Sequence, residues 1–538
     1  MAKLTLDGLT HREHWDAAGI RLPAYDVKAL RQRTCESPRW VHVGPGNIFR
    51  GYIAALAQTL IESGKMDTGI TTLSTFDHQI MEKIYKPYDN LALQVIMHAD
   101  GSLDKTVIAS IGESVKADAE DPADWPRIRE IFANPGLQMV SFTITEKGYH
   151  IKNMDGNYFP DVLSDFERQT EIPRNGMAIL AALLQHRYES GGHPITLVSM
   201  DNFSHNGDKL ADSVCTVAQK WVENGTAPAG FLDWLRDKSK VAFPWSMIDK
   251  ITPRPDPTVS KTLTDSGFAD TELVITDKNT YIAPFVNAEA PQYLVIEDTF
   301  PGGRPPLEDA GVYFTTRDTV DRVERMKVCT CLNPLHTAMS IFGCVLGFSS
   351  IAEEMKDPDI CALVNRIGYV EGMPVVTNPG ILEPEAFLKE VIQVRLPNPY
   401  IPDTPQRIAT DTSQKLAIRF GETIKLYRKS ADLDTASLTA IPLAIAAWCR
   451  YLMGIDDEGQ TFAISPDPLL EQLQGYIAPL AFGNPDSVGD NLRPILSNTH
   501  IFGVDLYEDS LGGKVEDYCR RMLAGKGTIR AVLHEELQ

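Results

Sequence analysis

Short apolar runs alternate with helical patterns through the first part of the chain. The runs are rich in β-branched residues, as strands usually are, and cover residues 40–43, 69–76, 140–145 and 195–200. Between them, segments such as 177–184 carry apolar side chains at helical spacing. Strands that alternate with helices are typical of an α/β domain with a mostly parallel sheet. We therefore predict this fold class for residues 1–317.

Helical periodicity dominates after residue 317, for example over 335–348 and 438–452, and strand signals are sparse there. We therefore predict a second, mostly α-helical domain over residues 318–538. Residues 1–38 are polar and are predicted to form a leader that packs on the first domain.

Acidic residues outnumber basic ones, 72 to 51, so the formal net charge is −21. This balance argues against binding to nucleic acid or to an anionic membrane surface. The N-terminus lacks the apolar segment of a signal peptide, and no apolar stretch approaches the ~20 residues of a membrane span. The cysteines number eight, and Cys329 and Cys331 have no second pair to complete a zinc site. We expect a cytoplasmic protein without a bound metal.

A glycine turn follows the first predicted strand and precedes a predicted helix over 52–61. In dinucleotide-binding units the first glycine makes a tight turn, and the second lets the backbone approach the pyrophosphate at the helix N-terminus. Gly44 and Gly46 fit this pattern, although Phe49 replaces the usual third glycine. The turn alone is equally compatible with a nucleotide site and with an ordinary loop.

Asp77 follows the second predicted strand, where a carboxylate commonly binds the ribose hydroxyls of a dinucleotide. It is equally well placed to cap a helix that begins at His78. A carboxylate here would repel a 2′-phosphate, so the first alternative favours NAD over NADP.

The segment around Lys327 contains most of the candidate catalytic residues. Glu324 and Lys327 are three residues apart on one helical face, and Asn333 and His336 repeat that spacing after a break, with Pro334 in the first turn of a new helix. These residues suit either a surface ion pair, a helix cap and a core histidine, or a site for metal-free alcohol oxidation. In the second case a buried amine takes the hydroxyl proton, amides and an imidazole stabilise the alkoxide, and a nicotinamide carries the hydride.

Ordered motifs between about residue 40 and about residue 510 resemble those of the long-chain polyol dehydrogenase family, which includes mannitol 2-dehydrogenase and fructuronate reductase. The motifs are Gly44–Arg50, Phe142–Tyr149, Ser199–Gly207, Phe243–Pro253, Val295–Asp298 and Gly303–Pro305. The resemblance implies a Rossmann-type N-terminal domain and a helical C-terminal domain.

The resemblance also implies catalytic roles. Lys327 matches the family's general base in oxidation and general acid in reduction. Asn202 and Asn333 match the asparagines that hold the substrate oxygen. His336 matches a substrate-binding histidine, and Glu324 matches a glutamate that gates proton exit from the lysine.

Further residues are assigned by the same resemblance. Asp249, Arg407 and Lys415 match substrate-binding positions, although the two cations could instead be exposed and bridged by Asp411. The residues expected to bind the cofactor are Gly44, Gly46, Asn47, Ile48, Phe49, Arg50, Asp77 and Glu146.

Two features depart from the family pattern. Five residues separate Lys327 from Asn333 where the family has four, and a helix break near Pro334 could absorb the extra one. Residues 250–285 include additional sequence for which we predict no role.

The resemblance favours NAD-dependent interconversion of D-fructuronate and D-mannonate. The alternatives are oxidation of D-mannitol to D-fructose and reduction of another keto-sugar or uronate, such as tagaturonate. We expect a sugar acid or polyol as substrate and a monomer or small homo-oligomer. A nucleotide-binding regulatory protein without activity is a further alternative, but joint retention of Lys327, Asn202 and His336 argues against it.

Overall fold

The computed structural model describes residues 1–167, 172–508 and 510–538. Contacts between Cα atoms divide the chain into two units, Met1–Asp321 and Arg322–Gln538. The division falls inside a helix, Arg317–Met326, whereas the sequence predicts a boundary after residue 317.

The strands of the first unit are short and mostly buried. They are β1 (Trp40–Val43), β2 (Ile70–Ser74), β3 (Ala92–Met97), β4 (Leu103–Ile108), β5 (Ile111–Lys116), β6 (Met139–Phe142), β7 (Ile195–Ser199), β8 (Val241–Ala242), β9 (Ser246–Asp249), β10 (Val274–Ile275), β11 (Tyr281–Ile282), β12 (Phe285–Glu289), β13 (Tyr293–Glu297) and β14 (Tyr313–Thr315).

Within the described residues, a six-stranded sheet with the order β5-β2-β1-β6-β7-β8 forms the centre of this unit. All its neighbouring strands are parallel; Val41, for example, is in register with Thr71 on one side and Val140 on the other. This is the doubly wound order of a Rossmann fold, and the predicted fold class is confirmed. The strand order reverses between β1 and β6, and ligands of such sheets bind outside the carboxyl ends of the strands at that point.

Helices cover the sheet, and its strands show no alternation of buried and exposed residues because strands buried on both faces do not alternate. The helices of the first unit, the last of which crosses the division, are α1 (Arg12–Ala17), α2 (Val27–Glu36), α3 (Ala54–Glu62), α4 (Asp124–Ala133), α5 (Thr145–Gly148), α6 (Pro160–Glu167), α7 (Gly176–Glu189), α8 (Asn206–Glu223), α9 (Phe231–Arg236), α10 (Pro257–Asp265) and α11 (Arg317–Met326).

The first residues of the chain join this unit directly. Ala2 N donates to Gly267 O at 2.8 Å, and the Trp15 side chain is fully buried. Two smaller sheets, β12-β3-β4 and β14-β13-β9, and the β10–β11 hairpin complete the unit.

The described part of the second unit contains helices and no named strand, so the predicted helical C-terminal domain is confirmed. Its core helix is Ala440–Tyr451, whose residues are all buried. The helices are α12 (Asn333–Leu346), α13 (Ile351–Glu354), α14 (Pro358–Asn365), α15 (Pro384–Glu390), α16 (Pro405–Ile408), α17 (Glu422–Lys429), α18 (Ala440–Tyr451), α19 (Leu470–Ile477), α20 (Arg493–Leu496), α21 (Thr499–Phe502), α22 (Gly512–Met522) and α23 (Thr528–Leu537).

Among the described residues one helical stretch, Arg317–Leu346, is long and apolar enough to cross a membrane by length and composition alone. However, 83% of its most apolar window is buried inside the protein, which is typical of a core helix.

Candidate active site

The glycine turn has the geometry that a dinucleotide requires. Gly44 has a φ of +106°, and a Cβ built there would lie 2.2 Å from Thr143 O, so a larger residue does not fit. A Cβ built on Gly46 would meet nothing within 4 Å. The chain is therefore tight at Gly44 and open at Gly46, which leaves the space that a pyrophosphate would occupy.

The residues after the turn point largely into the protein. Phe49 is fully buried, and its ring stacks on His42 with centroids 4.1 Å apart. Arg50 is also buried and donates to Ala283 O at 2.8 and 2.6 Å. The sequence predicts both residues to bind the cofactor; in the structure their side chains anchor the turn to the core, and their backbone lies at the start of the following helix.

Asn47 and Ile48 are half-buried at the start of the following helix. Asn47 Nδ2 donates to Tyr281 O at 3.2 Å, while its Oδ1 is buried and accepts no hydrogen bond from any described residue.

The Asp77 side chain is only 5% exposed. Its Oδ2 accepts hydrogen bonds from the hydroxyls of Thr276 (2.5 Å) and Thr280 (2.6 Å). Its Oδ1 is buried and has no hydrogen-bond partner among the described residues. The partners of the carboxylate are thus threonine hydroxyls and not amides of the following turn, so the helix-cap alternative is not what the structure contains. Together with the open side of Gly46, the unsatisfied oxygen fits a dinucleotide ribose.

A loop after β6 is fastened by Asp201. This carboxylate accepts from Ile144 N (2.8 Å), Thr145 N (3.1 Å) and Tyr149 Oη (2.6 Å), and burial raises its pKa. The sequence prediction assigned Asp201 no role, although it lies within one of the quoted motifs.

The neighbouring predicted residues have different surroundings. Glu146, on α5, is exposed and lies 3.9 Å from His150 Nε2. Asn202 is also exposed, beside the anchored Asp201. Asp249 is 5% exposed at the end of β9, where it is in register with Tyr293. Among the described residues, no group of three or more histidine, cysteine or acidic side chains could hold a metal ion.

Lys327 is 3% exposed and begins a π-helical turn, Lys327–Cys331, that directly follows α11. Leu332 N donates to Lys327 O at 3.1 Å, which closes this wider turn. A π turn holds one more residue than an α turn, so it accommodates an inserted residue without displacing the helices on either side. The turn ends close to Pro334, where the sequence prediction places the additional residue of this segment. Glu324, three residues before the lysine, is half-buried.

Asn333 and His336 open α12 and share one of its faces. The cap position belongs to Leu332, so Asn333 is not the helix cap that one sequence alternative assumed. Burial lowers the pKa of His336, and the guanidinium groups of Arg419, Arg395 and Arg407 lower it further against the opposing charge of Asp403. The imidazole is thus held neutral, able to donate at one nitrogen and accept at the other.

The two predicted substrate cations are not bridged by Asp411. Arg407 is exposed and pairs with Asp403. Lys415 Nζ donates to Thr410 O and, at 3.3 Å, to Ile408 O. Burial lowers the pKa of Lys415, and Arg419 lowers it further.

Arg419 is a residue that the sequence prediction missed. Its Nη1 donates to Thr337 Oγ1 at 2.6 Å, next to His336 in the chain. Burial lowers its pKa to about 10, so it stays cationic at neutral pH. The available signal was its spacing of four residues from Lys415, which places both on one helical face. We call Arg395, Arg407, Lys415 and Arg419 the cationic cluster.

Comparisons with known proteins identify the family of the chain. Residues 38–309 match the family model described as the mannitol dehydrogenase Rossmann domain, and residues 319–522 match the mannitol dehydrogenase C-terminal domain. The chain is 52% identical to a D-mannonate oxidoreductase of Thermotoga maritima, over 99% of this chain and 98% of that protein. It is 31% identical to a mannitol 2-dehydrogenase of Pyrenophora tritici-repentis, over 88% of this chain and 79% of that protein.

A solved structure is also similar. The Pseudomonas fluorescens mannitol 2-dehydrogenase, in a ternary complex with NAD and D-mannitol, superposes with a TM-score of 0.69 at 25% identity, covering 99% of both chains. The family predicted from the sequence motifs is confirmed: the chain belongs to the mannitol dehydrogenase family.

Proposed function

We propose that the protein is an NAD(H)-dependent secondary-alcohol dehydrogenase that interconverts D-fructuronate and D-mannonate. The observation that carries this proposal is the 52% identity to a D-mannonate oxidoreductase over nearly the whole of both chains. The similarity to mannitol 2-dehydrogenases is much lower, 31% for that of Pyrenophora tritici-repentis.

The cationic cluster supports a sugar acid as the substrate. The chain as a whole carries a net charge of −21, yet three guanidinium groups lie near enough to His336 to lower its pKa. A substrate carboxylate forms ion pairs as well as hydrogen bonds with such groups, whereas an uncharged polyol accepts hydrogen bonds only. We assign Arg407 and Lys415 to substrate binding, with Asp249 as acceptor for substrate hydroxyls.

Residues of the first unit suit NAD(H). Gly44 and Gly46 would hold the pyrophosphate, Asn47 and Ile48 lie at the adjoining helix start, and Asp77 would bind the ribose. A carboxylate beside the ribose disfavours the 2′-phosphate of NADP(H). We also retain exposed Glu146 as a cofactor-binding residue. When bound, the nicotinamide exchanges a hydride with the substrate carbon.

The protein's own contribution to the reaction is proton transfer and orientation. We assign to Lys327 the proton that reaches the keto oxygen in reduction and leaves the hydroxyl in oxidation. The amides of Asn202 and Asn333 and the imidazole of His336 would donate hydrogen bonds to that oxygen. Glu324, three residues before Lys327, would pass the proton to solvent.

We further propose that the enzyme acts in the cytoplasm without a metal, as a monomer or small homo-oligomer, with no nucleic-acid or membrane partner. The strongly acidic charge supports the absence of polyanionic partners.

Initial rates of NADH oxidation test the proposal, measured in parallel with D-fructuronate, D-tagaturonate and D-fructose. We expect the highest kcat/KM with D-fructuronate, a much lower value with NADPH in place of NADH, and no loss of rate in EDTA. A clear preference for D-fructose would refute the uronate assignment in favour of mannitol oxidation. Comparable rates with NADPH would refute the cofactor assignment.

A further inference from the structure

Residues 250–285, to which the sequence prediction gave no role, lie against the proposed cofactor site. The β10–β11 hairpin in this segment contacts the glycine turn, where Asn47 Nδ2 donates to Tyr281 O at 3.2 Å. Immediately after the hairpin, Ala283 O accepts the buried guanidinium of Arg50. The segment is therefore hydrogen-bonded to residues that are expected to surround the cofactor.

The loop of the hairpin is ordered by its own two threonines. Thr276 N donates to Thr280 O at 3.1 Å, and Thr280 N donates to Thr276 Oγ1 at 3.1 Å. Between them, Asn279 adopts a left-handed conformation with a φ of +59°. These bonds fix the separation of the two threonine side chains, both of which donate their hydroxyl hydrogens to Asp77 Oδ2.

The loop also holds the residues on either side of Asp77. Gln79 Nε2 donates to Asp277 Oδ2 at 2.5 Å, and Lys278 Nζ lies 5.1 Å from the centre of the Phe76 ring. The hairpin therefore contacts three residues that follow β2, namely Phe76, Asp77 and Gln79.

The two hydroxyls leave the carboxylate asymmetric. Oδ2 accepts two short hydrogen bonds, while Oδ1 is shielded from solvent and has no donor among the described residues. A buried acceptor without a donor is unfavourable, and a ribose hydroxyl is a donor that would satisfy it. The terminal torsion of an aspartate is broad, so without the threonines the plane of the carboxylate would not be fixed and neither would the direction of the oxygen that faces the ligand.

We propose that Thr276 and Thr280 are positioning residues that orient Asp77 toward the adenosine ribose and thereby set the preference for NAD(H) over NADP(H). The inference rests on the proposed function only for its cofactor and not for its substrate. The additional segment 250–285 is then a specificity element, since its hairpin presents one carboxylate oxygen to the ribose hydroxyls.

The test measures binding and not turnover. Dissociation constants for NADH and NADPH are determined by fluorescence titration of the full-length enzyme and of T276V/T280V, a nearly isosteric change that removes both hydroxyls. We expect the Kd for NADH to rise about tenfold and the Kd for NADPH to change by less than about twofold, so the discrimination ratio falls. The single variant T280V, whose site is only half-buried, should show the same change to a smaller extent.

Two controls separate positioning from folding. T280S keeps the hydroxyl and should bind both cofactors as the wild type does. T264V removes a hydroxyl in the same segment that bonds to Thr271 Oγ1 (2.9 Å) and Ser260 O (3.0 Å), away from Asp77, and should leave both Kd values unchanged. Melting temperatures of all variants report whether the hairpin remains folded.

Equal loss of affinity for NADH and NADPH in T276V/T280V and T280V would overturn the proposal, because a general structural role has that result. Unchanged constants in both variants would overturn it as well. If the wild type itself bound no NADH, the proposed function would fail and the inference with it. A wild type that binds NADH while the variants keep its discrimination refutes the inference alone.

Discussion

Replacing the two glycines of the turn separately gives a sharp test of the proposed cofactor site. In Gly44→Ala, the new Cβ would lie 2.2 Å from Thr143 O at a φ of +106°, so both the backbone conformation and the packing are strained. Strained dihedrals and overpacking each cost about 1–3 kcal/mol, which gives a loss of about 2–6 kcal/mol. We expect a drop in melting temperature of about 3–9 °C together with weaker NADH binding.

Gly46→Ala is the matched control, because its Cβ would meet no atom within 4 Å. Its melting temperature should stay within about 2 °C of the wild type, while the Kd for NADH rises about tenfold or more, since the methyl group occupies the approach of the pyrophosphate. Differential scanning fluorimetry and NADH fluorescence titration measure the two quantities on the same samples. Wild-type NADH affinity in Gly46→Ala would refute the assignment of this turn to the cofactor.

Two other changes probe the charges described above. Arg419→Leu should raise the KM for D-fructuronate about tenfold or more, because hydrogen bonds to charged groups contribute about 1.5–3 kcal/mol. The KM for D-fructose, which has no carboxylate, should change by less than about threefold. Equal effects on both KM values would contradict a role of Arg419 in binding the carboxylate. Burial lowers the pKa of His42 from 6.5 to about 3, so the unfolded chain binds the proton more readily than the folded protein does. The free energy of unfolding therefore falls as the pH drops below about 6.5, by about 1.4 kcal/mol per pH unit. His42→Gln should show a shallower decline in urea titrations between pH 6.5 and 4, and an unaltered slope would show that His42 does not titrate this way.

The central sheet was predictable because its strands are buried on both faces. Every residue of β1, β2 and β7 is buried, and each strand is a short run of mostly apolar and β-branched residues that stands out from the surrounding helical pattern. The strands β10 and β11 have two residues each, which is too short for any periodicity to show. The role proposed for this hairpin depends on hydrogen bonds from Thr276 and Thr280 to Asp77, a residue about 200 positions earlier in the chain. Local sequence patterns carry no information on such distant pairings.

The site was predictable only in part, for a similar reason. The spacing of Glu324, Lys327, Asn333 and His336 is local and visible in the sequence. The π turn at Lys327–Cys331 is not, because one additional residue in a helical pattern is indistinguishable from a break. The burial of Phe49 and Arg50 depends on partners distant in the chain, among them Ala283.

The central claim is that the amino group of Lys327, a residue only 3% exposed, carries the proton in hydride transfer. The most direct measurement is the single-turnover rate of D-fructuronate reduction by Lys327→Ala with NADH prebound, beside the Kd for NADH. The account predicts a rate lower by about 10²–10⁴ with the Kd within about twofold of the wild type. A rate within a few-fold of the wild type at saturating substrate would contradict it.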